Sequence, residues 1–152
     1  MNTRIWICGL IAIIFMVSCG DTPERNTTTL ASEQEAFQSK QVQGHWTTDK
    51  NTAMELRAMQ STIENFNLLI KKQPQNLMAY QGYAATLKNH VNRTVTYCSL
   101  DKNARSLLCK SMDKISEQIE VIEKGDIKQA HDAAGNINRI FSEIDNSFNF
   151  SY

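Results

Sequence analysis

The 152-residue chain has no excess of either charge, no apolar run long enough to cross a membrane and no active-site motif. Lys and Arg number 16, as do Asp and Glu, so no strong field attracts the chain to nucleic acid or to an anionic membrane. Its longest apolar run, residues 5–17, falls short of the roughly 20 residues that span a bilayer. A Gly-rich phosphate loop, a Cys-x-x-Cys-His haem attachment, a His-Glu-x-x-His zinc helix and a nucleophile elbow are also absent from the sequence. These absences predict a protein that is not an enzyme.

The N-terminus has the pattern of a secretory signal. A basic start precedes the apolar run of residues 5–17, and the small residue Ser18 precedes Cys19. The ending resembles the lipobox of bacterial lipoproteins, which implies that Cys19 is the lipidated first residue of the mature chain. Gly20, which stands where some lipoproteins have aspartate, implies by the same resemblance the outer membrane, facing the periplasm. The alternatives are an ordinary signal peptide with an incidental cysteine, or an uncleaved anchor.

The next segment is polar. Residues 20–48 are rich in Thr, Ser, Gln, Asn and Glu, a composition that buries too little apolar surface to offset the entropy of ordering. We therefore expect a flexible tether, with Trp46 packing beside the first helix. The predicted organisation is a signal peptide (1–18), a lipid-anchored tether (19–48) and a folded domain (49–152).

The folded domain is predicted to contain four amphipathic helices. Apolar residues recur at alternating spacings of three and four, which places them along one face of each helix. The four stripes are Leu56, Met59, Ile63, Phe66 and Ile70, widened by Leu69; Leu77, Tyr80, Ala84, Leu87 and Val91; Leu108, Met112, Ile115, Ile119 and Ile122; and Ile127, Ala130, Ala134, Ile137, Phe141, Ile144 and Phe148. Four such helices with short loops predict an all-α, antiparallel up-down-up-down four-helix bundle.

The helix ends are predicted from capping patterns. Thr52 with Glu55, and Asp126 with Gln129, fit capping boxes. Other end signals are Pro74, which stops the first helix, Asp101, which begins the third, and Gly125, which is expected in the left-handed conformation that ends a helix.

Two cysteines fall inside the folded domain. Cys8 lies in the predicted signal peptide and Cys19 is the predicted lipid site, which leaves Cys98 and Cys109 as an even pair in a chain expected to reach an oxidising compartment. We predict a disulfide between Cys98 and Cys109. The alternative is two half-buried thiols; a redox or metal pair lacks the Cys-x-x-Cys spacing.

One pair of residues is a candidate for metal or haem ligation. Folding the helices back on one another places His90 level with Met59, and an imidazole with a thioether inside a bundle can ligate haem iron or copper. The alternative is that Met59 fills the core and His90 lies at its boundary. Acidic residues are predicted to lie on outward faces.

Residues 115–130, with Met59 near the start of the first helix, resemble the periplasmic cytochrome b562 bundles. Those bundles hold haem between a methionine early in the first helix and a histidine late in the fourth. This chain has Asp145 near that position and its only histidine of the fourth helix, His131, at the other end, so the resemblance implies the fold and not the haem. Residues 74–85 and 125–130 also resemble tetratricopeptide repeats, although no 34-residue period connects them.

Together these patterns predict a lipid-anchored, extracytoplasmic bundle that binds a protein or another component of the cell envelope. No cofactor and no nucleic acid is expected. The alternative function is a haem- or copper-binding bundle, with Met59 and His90 as ligands, in electron transfer or metal handling.

Overall fold

The structure is a computed structural model that describes residues 39–150. It contains helices α1 (Lys50–Lys72), α2 (Leu77–Tyr97), α3 (Lys102–Lys124) and α4 (Ile127–Asp145), and strands β1 (Gln41–Val42), β2 (His45–Thr47) and β3 (Phe148–Asn149). The predicted signal peptide, the predicted lipid site at Cys19 and the first part of the predicted tether lie outside the described residues. Within residues 39–150 no helix is both long and apolar enough to cross a membrane.

The four helices form the predicted antiparallel bundle. Short connections at residues 73–76, 98–101 and 125–126 reverse the chain at alternate ends. The start of α1 and the end of α2 meet at one end, where the amide of Ser99 donates to the carboxylate of Asp49 at 3.2 Å. The fold-class prediction is confirmed.

The core is built from the predicted stripes. Most stripe positions are buried, and apolar residues outside the stripes also contribute to the core, among them Ala53, Tyr83, Leu100, Ala104, Ala133, Ile140 and Phe150. Ile70, Leu77 and Ile127, at the ends of their stripes, are only partly buried. Leu69, predicted to widen the stripe of α1, is instead exposed. The buried apolar area supplies most of the favourable free energy of folding.

The start of α1 differs from the prediction. Asp49, and not Thr52, caps the helix and accepts hydrogen bonds from the amides of Asn51 and Thr52. Thr52 lies inside the helix and donates its hydroxyl to Asp49 at 2.6 Å. The capping box of Thr52 with Glu55 is therefore wrong, whereas that of Asp126 with Gln129 is confirmed, with both of its hydrogen bonds present.

Gly125 ends α3 for a different reason from the one predicted. Its φ of −87° and ψ of 173° are extended and open to any residue, so a left-handed conformation is not what requires glycine. A Cβ at this position would lie 2.6 Å from the carbonyl oxygen of Val121 and 2.9 Å from the side chain of Gln129. Glycine is needed because the turn between α3 and α4 leaves no room for a side chain.

Residues 39–48, predicted to belong to the flexible tether, are ordered against the bundle. Strands β1 and β2 form a hairpin whose two loop residues, Gln43 and Gly44, both have positive φ, as a type I′ turn requires. Strand β2 also pairs in parallel with β3, which follows α4. The tether prediction is wrong for this part because strands of two or three residues leave no periodic signal.

The end of α4 explains why this small sheet forms. The helix stops at Asp145, and Phe148, predicted as its last stripe residue, lies in β3 instead. Phe148 and Phe150 are buried, and the ring of Phe150 meets that of Phe141 edge-on. The amide of Trp46 donates to the carbonyl of Ser147 at 2.8 Å, so the segment before α1 covers the end of the core.

Candidate functional site

Glu55 of α1 lies in the contact between α1 and α2, and its carboxylate is almost inaccessible to water. Its Oε2 accepts a hydrogen bond from Nδ1 of His90 at 3.0 Å, and its Oε1 lies 2.6 Å from Nη2 of Arg93. His90 and Arg93 are three residues apart on α2, so both side chains face the same neighbour.

Glu55 is the site residue that the sequence reading missed. The pattern predicted a capping role for it and placed acidic side chains on outward faces; both predictions are wrong here. Its position four residues before Met59, a buried stripe residue, is the signal that places it on the inner face of α1. The spacing of His90 and Arg93 on α2 is the matching signal on the opposite helix.

A cleft of about 490 Å³ opens beside this cluster, between the first turns of α1 and the last turns of α2. It is lined by Asn51, Met54, Glu55, Arg93 and Tyr97. The side chain of Arg93 is 57% exposed, so the N–H groups that Glu55 does not use are open to a ligand. Met54 and Tyr97 are each more than half exposed beside it. A volume of this size is within the range of about 300–1,000 Å³ that is typical of ligand sites.

A second polar network lies one turn closer to the end of the bundle. The buried carboxylate of Asp49 accepts from the hydroxyl of Thr52 and from the amide of Ser99. It thereby connects the start of α1 to the residue that follows Cys98. This network fixes the two helix ends that form the cleft.

The predicted disulfide between Cys98 and Cys109 is not formed, and both residues are free thiols. Cys98 is buried at the end of α2, and Cys109 is partly exposed in the second turn of α3. Burial raises the pKa of the Cys98 thiol, against smaller opposing effects of hydrogen bonds with Leu100 and Thr52. The Cys98 side chain thus interacts with Thr52 of α1, which an even cysteine count does not reveal. A thiol kept protonated by burial is a poor nucleophile.

The alternative metal ligands, Met59 and His90, occupy separate environments. Met59 is fully buried in the core. Nδ1 of His90 contacts Glu55, and its Nε2 lies 3.5 Å from the hydroxyl of Thr62. Ligation of haem iron or copper by His90 would require one of these contacts to open. In the part of the chain that the structure describes, no group of three His, Cys, Asp or Glu side chains lies close enough to hold a metal ion.

The three histidines do not form one site. His131, in the first turns of α4, contacts the hydroxyl of Tyr80 through its Nδ1 at 2.8 Å. His45 lies in β2, at the end of the bundle covered by the sheet. Only His90 lies beside a buried carboxylate.

We compared the chain with protein-family models, with curated proteins and with solved structures, and none of them matches it. The function therefore has to be inferred from the sequence and from the geometry of residues 39–150. The cleft beside Glu55 is one place where that geometry brings charged, polar and apolar side chains together, and there a buried carboxylate holds an exposed guanidinium.

Proposed function

We propose that this protein is a lipid-anchored, non-enzymatic binding module of the bacterial cell envelope, and that the cleft beside Arg93 binds a partner protein. One observation carries this proposal: the exposed guanidinium of Arg93 is held in position by the buried Glu55 and flanked by Met54 and Tyr97. Arg, Tyr and Met are enriched in protein interfaces, and Arg and Tyr often dominate the binding energy. Because Glu55 orders Arg93 before a partner arrives, less side-chain entropy is lost on binding.

The chemistry of the cleft indicates what the partner presents. A guanidinium offers parallel N–H donors to a carboxylate, and such charge-assisted hydrogen bonds are stronger than neutral ones. The thioether of Met54 and the ring of Tyr97 provide apolar contact beside these donors. The cleft therefore fits a segment in which an acidic residue stands next to an apolar one.

The position of the cleft agrees with an anchored role. The chain arrives at the bundle at Ser39, whose hydroxyl accepts from the amide of Asp101 at the same end as the cleft. Cys19 and Ser39 are 20 positions apart in the sequence, so the chain between them spans at most about 70 Å. A partner bound in the cleft would therefore be held near the lipid to which Cys19 is attached.

The ionisable groups around the cleft favour binding over catalysis. The carboxylate of Glu55 is buried and contacts His90 and Arg93 through its two oxygens, which leaves little of it open to a substrate. The nearby thiol of Cys98 has a raised pKa because it is buried. An activated nucleophile needs a neighbouring base or a lowered pKa, and this thiol has the opposite shift.

The anchor is tested by replacing the predicted lipid site. In Cys19→Ser no acyl chain can be attached, and we expect the protein to leave the membrane fraction. Fractionation of the producing cells, with immunodetection of the full-length protein, measures this. Cys109→Ser is the matched control and should remain with the membranes; if Cys19→Ser also remained there, the lipid assignment would be wrong.

The cleft is tested by site-specific photo-crosslinking in native envelopes. Full-length protein carrying p-benzoylphenylalanine in place of Tyr97 should give one discrete, heavier adduct, identified by mass spectrometry. Combination with Arg93→Ala should reduce the adduct by about tenfold or more, because the charged contact is lost. Lys88→Ala, which removes another exposed cation of α2, is the control and should leave the yield unchanged. An adduct equally strong in Arg93→Ala would contradict the proposed site.

A further inference from the structure

His90 of α2 connects two side chains of α1 that lie about two helical turns apart. Its Nδ1 lies 3.0 Å from Oε2 of Glu55, and its Nε2 lies 3.5 Å from the hydroxyl oxygen of Thr62. The side chain of His90 is only 18% exposed, so most of the ring is covered by protein. Contacts through both ring nitrogens fix the orientation of the imidazole between the two helices.

The orientation of Thr62 is itself fixed by α1. Its hydroxyl donates to the carbonyl oxygen of Ala58, one turn earlier, at 2.9 Å. A β-branched side chain that also makes this local hydrogen bond has few rotamers open to it. The oxygen that faces His90 therefore stays in place, and the imidazole is supported on the side away from Glu55.

Glu55 depends on α2 for its partners. The residues four positions before and after it on α1, Asn51 and Met59, are uncharged, and its own side chain is only 5% exposed to water. His90 contacts one carboxylate oxygen and Arg93 contacts the other. Removal of the imidazole would leave Oε2 without this partner where water scarcely reaches, which favours a carboxyl group that turns away or takes up a proton.

Arg93 depends in turn on Glu55. Helix α2 contains neither Asp nor Glu, so no carboxylate of its own helix can hold the guanidinium. The other acidic residue of α1, Glu64, lies nine positions after Glu55, which is about 13 Å along the helix axis. Asp49 already accepts hydrogen bonds from the first amides of α1 and from the amide of Ser99. A long side chain that is 57% exposed would otherwise keep most of its rotamer freedom.

We propose that His90 is a positioning residue of the cleft: it holds the carboxylate of Glu55 in the orientation that fixes the guanidinium of Arg93. His90 is not among the residues that line the cleft, so it acts through Glu55 and without touching a partner. The consequence for binding rests on the proposed function, because a guanidinium that is ordered in advance loses less side-chain entropy when a partner arrives.

The order of Arg93 is measured by NMR relaxation of its Nε–H group in full-length protein in detergent micelles. In the wild type this group should be more ordered than that of Arg139, whose partner Glu143 is exposed on the same helix. His90→Phe keeps a ring but removes both nitrogen contacts, and it should lower the order parameter of Arg93 to the level of Arg139. His90→Asn, whose amide nitrogen can take the place of Nδ1, should restore most of the order.

Two further variants separate positioning from a general effect on the fold. His131→Phe removes another imidazole that contacts a neighbouring helix, at Tyr80, and should leave Arg93 as ordered as in the wild type. In Glu55→Gln the charged partner of Arg93 is already lost, so adding His90→Phe should lower the order parameter no further. The proposal would be overturned by an Arg93 that stays ordered in His90→Phe, that is equally mobile in His131→Phe, or that His90→Asn does not restore.

Crosslinking from position 97 distinguishes this proposal from the proposed function. With p-benzoylphenylalanine in place of Tyr97, His90→Phe should reduce the adduct by about two- to tenfold, which is the cost of ordering one long side chain on binding. If the wild type gave no adduct while the order of Arg93 still depended on His90, the partner function would fail and the positioning would stand. An adduct that required Arg93 but was as strong in His90→Phe as in the wild type would have the opposite meaning.

Discussion

Two buried polar side chains between α1 and α2 show that the surroundings of a residue decide whether its polar atoms have hydrogen-bond partners. Glu55 is satisfied on both carboxylate oxygens, by His90 and by Arg93. Tyr83 is also buried and stacks on Phe66 with ring centroids 4.0 Å apart, yet its hydroxyl has no hydrogen-bond partner within the described residues. A buried polar group without a partner costs about 1–3 kcal/mol, so Tyr83 is the residue whose polar atom works against stability.

We therefore expect Tyr83→Phe to stabilise the protein by about 1 kcal/mol at neutral pH. Burial also raises the pKa of Tyr83, so its phenol stays neutral in the folded chain at pH values where the unfolded chain ionises. The ionisation of Tyr83 therefore does not affect the free energy of unfolding below the ordinary tyrosine pKa of about 10, and it lowers that free energy as the pH rises above this value. Tyr83→Phe should remove that part of the alkaline loss.

Urea unfolding at pH 7 and at alkaline pH measures both effects of Tyr83→Phe. Tyr97→Phe, at an exposed ring, is the control and should change the free energy of unfolding by less than about 0.5 kcal/mol. A Tyr83→Phe chain that is less stable than the wild type at pH 7 would show that the hydroxyl does have a partner.

At the scale of single elements, the helices begin and end through local contacts that are visible in the sequence only in part. Asp101 and Asp126 cap α3 and α4 as predicted, because an aspartate before an apolar stripe satisfies free amides at a helix start. At Asp49 the prediction was displaced by three residues, since Thr52 and Asp49 are both good capping residues. Glycine is required at position 125 because a side chain there would collide with Val121 and Gln129. This crowding can be recognised only from the geometry of the turn.

We expect Gly125→Ala to destabilise the protein by about 1–3 kcal/mol, because its Cβ would collide with the backbone oxygen of Val121 and with the capping residue Gln129. Gly135→Ala is the matched control: it has open space above it and should stabilise α4 by up to about 1 kcal/mol. Chemical denaturation of the two variants beside the wild type gives both values. Equal effects of the same sign would show that the α3–α4 turn adjusts to the methyl group.

For the described part of the molecule as a whole, the three-stranded sheet connects the segment before α1 to the segment after α4. Strand β2 pairs with β3, and the hydroxyl of Thr48 donates to the carbonyl of Asn149 at 3.1 Å. Phe148 and Phe150 anchor this contact in the core. Both ends of the folded part are therefore held at the end of the bundle where the proposed tether arrives.

We expect Phe148→Ala to destabilise the protein by about 3–5 kcal/mol and to loosen residues 40–47 before the helices unfold. Hydrogen exchange should become faster at the amide of Trp46, which donates to Ser147. At amides in the helix core, exchange should become faster only by the amount that the lower free energy of global unfolding accounts for. Val42→Ala, at an exposed strand residue, is the control and should leave that exchange rate unchanged. Unaltered exchange at Trp46 in Phe148→Ala would mean that β2 is held without β3.

The sequence by itself determined the bundle, because apolar residues recur every three or four positions within each helix. This spacing produces amphipathic helices, each of which buries one face, at residues such as Met59, Leu87, Ile115 and Ile137. It also determined most capping residues, since caps depend on neighbours three residues away. The small sheet was decided by the tertiary structure, because its strand β2 pairs with β3, about 100 positions away in the sequence. So were the free thiol of Cys98 and the cluster of Glu55 with His90 and Arg93, whose partners lie on another helix. Contacts between distant segments leave no periodic trace in a chain, and the candidate site consists of such contacts.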